Sequence, residues 1–298
     1  MEATGQRLCR YRDEDAMLSL YAIADIHRGA RGCSLSILGD DIARIYADPL
    51  AAWVLLGDYA DFIAPTDKRF DPSSISEDVR ACDMGTLAKL LIDATAEDFA
   101  TIQDRCLGAG YGNHEWRYFT DTAAQLAHRG LCEILDTPDL RYSGWFDIYF
   151  EHAPRLKKAA EWVTWPQPGQ CGRKGQVRLR VFAHHGFGGA QTAGGKINAL
   201  HKLLTQVDAD LVLMGHLHEQ MLRTRAVMGV DSECKSVHQR CQVGLITGSY
   251  LRIQESGGTS YGEMRGYAPS VLGAARATFR PSTMELTAEN RVISGVMV

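Results

Sequence analysis

Five short polar clusters, spread from residue 25 to residue 218, constrain this chain more than any other feature. They are Asp25-Ile26-His27, Gly57-Asp58-Tyr59-Ala60-Asp61, Gly112-Asn113-His114-Glu115, His184-His185-Gly186 and Gly215-His216-Leu217-His218. Each follows a predicted strand or its loop. In a twisted sheet, loops at the carboxyl ends of strands converge on one edge, where ligands bind.

The pattern between the clusters is compatible with such a sheet. Residues 18–24, 52–56, 177–183 and 210–214 are short apolar runs that read as buried strands. Helical spacing covers 35–47, which stops before Pro49, and 76–95, with Val79, Leu87, Leu90 and Leu91 on one side. Further helices are predicted over 116–135 and 193–206. Beyond Gln220 the pattern turns to strands at 221–228, 242–247, 276–279 and 284–287. Residues 64–74 and 256–269 read as loops. Alternating β and α first, then mostly β, predicts α/β layers around two sheets rather than a doubly wound sheet. No repeat or linker divides the chain. The expectation is one domain over 1–298, with a motif-bearing core at about 18–250 and C-terminal strands and a loop over 251–298.

Composition excludes several classes. At 45% apolar residues, 298 residues suffice for a sizeable core. A net charge of −4 and a pI near 6.2 do not describe a polybasic nucleic-acid binder. The eight cysteines form no C-x-x-C pair, which reads as a reducing, cytoplasmic setting. The first apolar run, 16–24, is too short to span a bilayer, and no secretory segment precedes it, so a soluble protein without membrane attachment is expected.

Asp, Asn and His gathered at strand ends are mixed N/O ligands suited to divalent Mn, Fe or Zn. On an extended backbone, residues i and i+2 of D-x-H and H-x-H point to one side and can reach one ion. Glycines before Asp58, Asn113 and His216 permit tight turns or close backbone approach. A carboxylate such as Asp58 can bridge two ions. Ions about 3.5–4 Å apart can activate a water and neutralise a phosphate's charge.

Taken in order, D-x-H, G-D-x-x-D, G-N-H-E, H-G and G-H-x-H resemble the motifs of the calcineurin-like metallophosphoesterase superfamily over residues 20–250. The resemblance implies a four-layer α/β/β/α sandwich of two mixed β-sheets with the metal centre at one edge. By motif, Asp25, His27 and His218 would hold a first metal, with Asp58 bridging to a second completed by Asn113, His185 and His216. His114 would contact the phosphate and protonate the leaving alkoxide, oriented by Asp61. A metal-bound hydroxide would attack phosphorus in line. Two divalent ions are implied. Manganese is the expected one, and Fe, Zn, Ni or Co would also suit the ligands. His184 and His185 compete for the fourth motif; His185 directly precedes Gly186, as in the H-G form.

Departures from the superfamily's branches bear on substrate. Ser/Thr protein phosphatases carry arginines where this chain has Phe62 and Tyr111. Arg28 and Arg117 lie near the motifs and could grip phosphate, or simply solvate the surface. The stretches from Phe187-Gly188-Gly189-Ala190 to Gly194-Gly195-Lys196-Ile197-Asn198, and Ser260-Tyr261-Gly262-Glu263 with Gly266-Tyr267, resemble phage-associated members. The expected activity is phosphodiester hydrolysis on a nucleotide or DNA. A phosphomonoesterase and a non-catalytic scaffold of the same fold are the alternatives. Outside the motifs, His128, His152, His201 and His238 read as ordinary polar residues. Cys106 and Cys132 read as small buried groups, and the basic residues Lys157, Lys158, Arg173, Lys174, Arg178 and Arg180 as a solvated strand edge, with a nucleic-acid contact as the other possibility. Trp116, Tyr118 and Phe119 read as core packing, with substrate stacking as the other possibility.

Overall fold

The computed structural model describes residues 2–63, 65, 70–118, 122–231, 233–253, 261–264, 266–269 and 271–290. In chain order the strands are β1 (Glu2–Tyr11), β2 (Leu18–Ile23), β3 (Ala51–Leu56), β4 (Cys106–Gly110), β5 (Asp139–Arg141), β6 (Ser143–His152), β7 (Ala160–Val163), β8 (Val177–His184), β9 (Leu211–Met214), β10 (Met221–Val230), β11 (Val237–Ile246), β12 (Ala275–Arg280) and β13 (Glu285–Glu289). The helices used below are α1 (Leu35–Ala47), α2 (Leu87–Phe99), α3 (Asn113–Tyr118), α4 (Thr122–Ile134) and α5 (Ala193–Gln206).

Two mixed sheets result. One runs β13-β12-β2-β3-β4-β5, with β2 to β5 parallel and β12 antiparallel to β2. The other runs β10-β11-β9-β8-β6-β1-β7, with β8 and β9 parallel neighbours. Side chains alternate across a strand, so each inner strand feeds two layers. From β2 and β3, Leu20, Ala22, Val54 and Leu56 meet Phe146, Ile148, Val181 and Leu213 of the other sheet. Their alternates Tyr21, Ile23, Trp53 and Leu55 pack on Leu38 and Ile45 of α1, Leu91 and Phe99 of α2 and Leu131 of α4. On the far side, Phe182, Val212 and Met214 pack on Leu200, Leu203 and Leu204 of α5. Burial on both faces is why β2 and β3 are continuous apolar runs. The layers are therefore α/β/β/α, as expected.

Three expectations change in detail. The helix expected over 76–95 begins only at Leu87, after a 3₁₀ segment Ala81–Thr86. The helix expected over 116–135 is two helices, α3 and α4. Strands β1, β4, β5, β6 and β7 add to the predicted set. Phe119 and residues 256–260 and 265 of the expected 256–269 loop lie outside the described residues, and Tyr261–Met264 of that loop form a short helix. Among the described residues, no helix is long and apolar enough to cross a membrane.

Candidate metal centre

All five clusters stand at the carboxyl ends of strands. Asp25 and His27 follow β2, Asp58 and Asp61 follow β3, and Asn113 and His114 open α3 after β4. His185 follows β8, and His216 and His218 follow β9. Since β2, β3 and β4 are neighbours in one sheet and β8 and β9 in the other, one edge of the sandwich collects them. Backbone hydrogen bonds tie the loops together. Asp25 N donates to Gly57 O, His27 N to Asp58 O and Arg28 N to Tyr59 O, each at 3.0 Å, and Gly215 N donates to His185 O at 2.9 Å. Across the sheets, Tyr250 N donates to Asp25 O at 3.0 Å and His216 N to Asp25 Oδ2 at 2.7 Å.

The extended-backbone account of D-x-H and H-x-H is overturned. Asp25 and His27 both have φ of 53°, Asp58 47°, His216 71° and His218 50°, all in the left-handed region. Asp and His enter that region more readily than most residues, yet each such residue costs on the order of 1–3 kcal/mol. The cross-loop hydrogen bonds hold them there. In these two motifs the side chains converge because the chain reverses curvature at Asp25, His27, His216 and His218, not because a strand alternates.

Three ligand-type groups result, each with its donor atoms within 4.8 Å of one another: Asp25, His27 and His218; His27, Asp58 and His114; and Asp58, His185 and His216. Asp58 belongs to two of them. Its Oδ2 lies 3.5 Å from His185 Nε2, and Oδ1 accepts the His114 backbone N–H at 2.8 Å. Asn113 Oδ1 joins through His185 Nε2 at 3.1 Å, and His218 Nε2 stands 3.3 Å from Asp25 Oδ1. Asp61 Oδ1 lies 2.6 Å from His114 Nδ1 and 3.6 Å from His27 Nδ1.

Backbone carbonyls select the ring nitrogens. His185 Nδ1 pairs with Leu56 O at 2.9 Å, which leaves Nε2 for a ligand. His216 Nε2 pairs with Gly188 O at 2.8 Å, which leaves Nδ1. The second contact places the Phe187–Ala190 stretch beside the centre. His184 turns elsewhere: its Nδ1 accepts the Gly186 N–H at 2.7 Å, and its ring meets Phe187 and Tyr142 edge-on.

Charge in this edge is redistributed by burial and proximity. Burial pushes the Asp58 carboxyl up, but His185 and His114 outweigh it and hold the group well below the usual carboxylate range. Asp25 is likewise lowered, with His218 overcoming burial, and Asp61 is lowered by hydrogen bonds with His114 and His27 against burial. Burial lowers His27, and the neighbouring His114 adds to it. His185 is raised to about 9 because Asp58 outweighs burial, and His184 is lowered to about 4 by burial and by His185. Anionic carboxylates beside a neutral His27 match what cations require of their ligands, whereas a cation at His185 would have to displace the proton that Asp58 favours there.

Glu115, to which the sequence assigned no role, fastens the scaffold. Fully buried, its carboxylate accepts N–H groups from Gly112 at 2.7 Å, Asp58 at 2.9 Å and Ala60 at 3.2 Å. Burial and the Asp58 charge raise it to about 7. Gly112 is required for a different reason. A Cβ there would fall on Asp58 Oδ1 and within 2.5 Å of His185 Cε1. Gly57, with φ of 97°, likewise leaves no room between its Cα and the Gly112 backbone. Gly112→Ala is therefore expected to cost about 1–3 kcal/mol through overpacking and to weaken retention of an added divalent cation. Urea unfolding and elemental analysis check both. Unchanged values in both would mean that the close approach is not needed.

The donor set fits divalent cations. Among the described residues, buried His27 Nε2 has no hydrogen-bond partner, and buried Asp25 Oδ1 faces only His218 Nε2 at 3.3 Å, an arrangement that costs free energy unless another group satisfies them. Arg28 does not share in this: its Nε lies 3.1 Å from Asp98 Oδ2 and its Nη1 3.4 Å from Asp78 Oδ2. Arg117 is exposed on α3. His128 is buried, within 3.3 Å of the Tyr59 hydroxyl and 3.1 Å of Asp139 Oδ1, and forms a fourth ligand-type group with Cys132 and Asp139. Burial raises the Cys132 thiol, so that group is a hydrogen-bonded network of the core. Cys106 is buried as expected. Trp116 is not: it is 53% exposed, whereas Tyr118 stacks on buried Phe62 at 5.1 Å.

No family model matches this chain, and no curated protein matches it. Among solved structures it is similar to a conserved uncharacterized protein of Streptococcus pneumoniae TIGR4 described as a predicted phosphoesterase. Identity is 10%, over 89% of this chain and 84% of that one, with a TM-score of 0.28. A likeness of that size carries no functional argument, which falls to the chain's own side chains.

Proposed function

We propose that this protein is a metal-dependent phosphodiesterase that holds two divalent cations. The observation carrying this reading is the position of Asp58, whose carboxylate is grouped with His185 and His216 on one side and with His27, itself grouped with Asp25 and His218, on the other. Asp25, His27, His218 and Asp58 would hold one ion, and Asp58, Asn113, His185 and His216 the other. Two such ions, when bound, supply an acidified water and offset the charge of a phosphate. His114 keeps Nδ1 on Asp61 at 2.6 Å, which frees Nε2 to give a proton to the leaving alkoxide. Asp61 fixes the ring and supports its protonated form.

A diester is favoured over a monoester by the groups beside the motifs. Phe62 is buried against Tyr118, Tyr111 stacks on Trp116, and Arg28 is engaged by Asp98 and Asp78. Those surroundings suit a phosphodiester, with its single negative charge, better than a dianionic monoester. Protein reconstituted with manganese is expected to bind two equivalents and to cleave bis(p-nitrophenyl) phosphate faster than p-nitrophenyl phosphate. Monoester preference would replace the diesterase reading with a phosphomonoesterase. Two bound equivalents with neither ester cleaved would leave a scaffold.

A further inference from the structure

The short helix α3 presents a candidate ligand and an exposed aromatic ring together. Asn113, Trp116 and Arg117 stand at i, i+3 and i+4, which are neighbours on one side of a helix. Long helical side chains lean toward the N-terminus, and the Trp116 indole accordingly lies back over Tyr111. Their centroids are 6.0 Å apart and the planes 11° from parallel. The row continues inward. Tyr111 meets Tyr142 edge-on at 6.2 Å, and Tyr142 meets His185 edge-on at 5.2 Å while its hydroxyl donates to Gly186 O at 3.0 Å. Tyr111 is fixed from below by the core and by an edge-on contact with His128 at 5.2 Å.

An indole stacked on a fixed tyrosine yet 53% exposed gains little from the core. What it offers is a rigid aromatic face at the outer end of a row that ends on His185. Arg117 and Arg141 are exposed at the same end, where Arg141 O accepts the Tyr111 N–H at 3.0 Å, and their charge suits an anionic ligand. Aromatic side chains stack any base, because every base has a π-face.

We propose that Trp116, backed by Tyr111, is a nucleobase platform, so that the substrate is a nucleotide phosphodiester whose base stacks on Trp116 while its phosphate lies beside Asn113. This rests on the phosphodiesterase reading above. The test compares thymidine 5′-(p-nitrophenyl phosphate) with methyl p-nitrophenyl phosphate, which share a leaving group and differ in the base-bearing arm. It uses manganese-loaded wild type, Trp116→Ala and Trp116→Phe, together with quenching of tryptophan fluorescence by AMP.

Wild type is expected to favour the thymidine ester through a lower KM. Trp116→Ala should reduce the ratio of thymidine-ester to methyl-ester kcat/KM roughly tenfold, the order of a lost base stack, and Trp116→Phe should restore most of it. AMP should quench wild-type fluorescence and lose that effect in Trp116→Phe. Equal losses on both esters, or no preference for thymidine in wild type, would overturn the platform. If neither ester is cleaved, the phosphodiesterase reading fails by itself. AMP quenching that depends on Trp116 would then still support base binding, and its absence would overturn it.

Discussion

Asp58→Asn is expected to leave the fold intact, strip the protein of tightly held metal and remove turnover. The asparagine is isosteric, so the turn after β3 and its contacts with Glu115 should persist. What changes is charge and donor identity. One carboxylate currently offers Oδ2 toward His185 at 3.5 Å and Oδ1 to the His114 N–H at 2.8 Å. An amide has one oxygen for both directions and no negative charge. Even groups that merely orient metal ligands are worth about 10–100-fold in affinity or activity, so a shared ligand should cost more than that. Elemental analysis after desalting, circular dichroism and diester cleavage are the measurements. A variant that keeps two equivalents of manganese and wild-type turnover would remove the bridging assignment.

His114→Gln should show the opposite pattern, with metals retained and turnover lost. General acid catalysis contributes about 10²–10⁴-fold, and the loss should depend on the leaving group. A p-nitrophenolate departs without a proton, whereas an alkoxide needs one. The variant is therefore expected to lose far more activity on an alkyl leaving group than on p-nitrophenol. An equal loss on both would argue that His114 binds phosphate without transferring a proton. Asp61→Asn should follow the same trend more weakly, since Asp61 acts through His114 and also lies 3.6 Å from His27 Nδ1.

What was legible in the sequence followed burial on both faces. Strands β2, β3, β8 and β9 are short apolar runs, and α1 and α5 span the expected 35–47 and 193–206. β6 escaped notice because it is half-buried. Its Gly144, Phe146, Ile148 and Phe150 face inward, while Asp147, Tyr149 and Glu151 dilute the pattern. β1 was hidden by its charges, yet Arg7 is 1% exposed, with Nε donating to Leu107 O at 2.8 Å. At the site, residue type and order pointed to one cluster, and the fold gathers Asp25, His27, Asp58, His185, His216 and His218 into ligand-type groups while His184 meets Phe187 and Tyr142. Backbone conformation was not legible: D-x-H spacing is equally compatible with an extended chain and with two left-handed residues. Nor was the role of Glu115, because a motif names its neighbour His114 but not the loop amides, more than fifty positions away in the chain, that its carboxylate reaches.

The two sheets contribute to the centre from opposite sides of the core, and that arrangement has a mechanical meaning. Asp25 faces His218, and Asp58 faces His185, across the seam where the sheets meet. A cation coordinated by either pair is a cross-link between segments far apart in sequence, and it closes a long loop in the unfolded chain. The reactive edge would thus double as a clasp on the sandwich. The layers could slide past one another only by pulling on coordination bonds, so the protein's resistance to shear and its catalytic competence would rise and fall with the same metal occupancy.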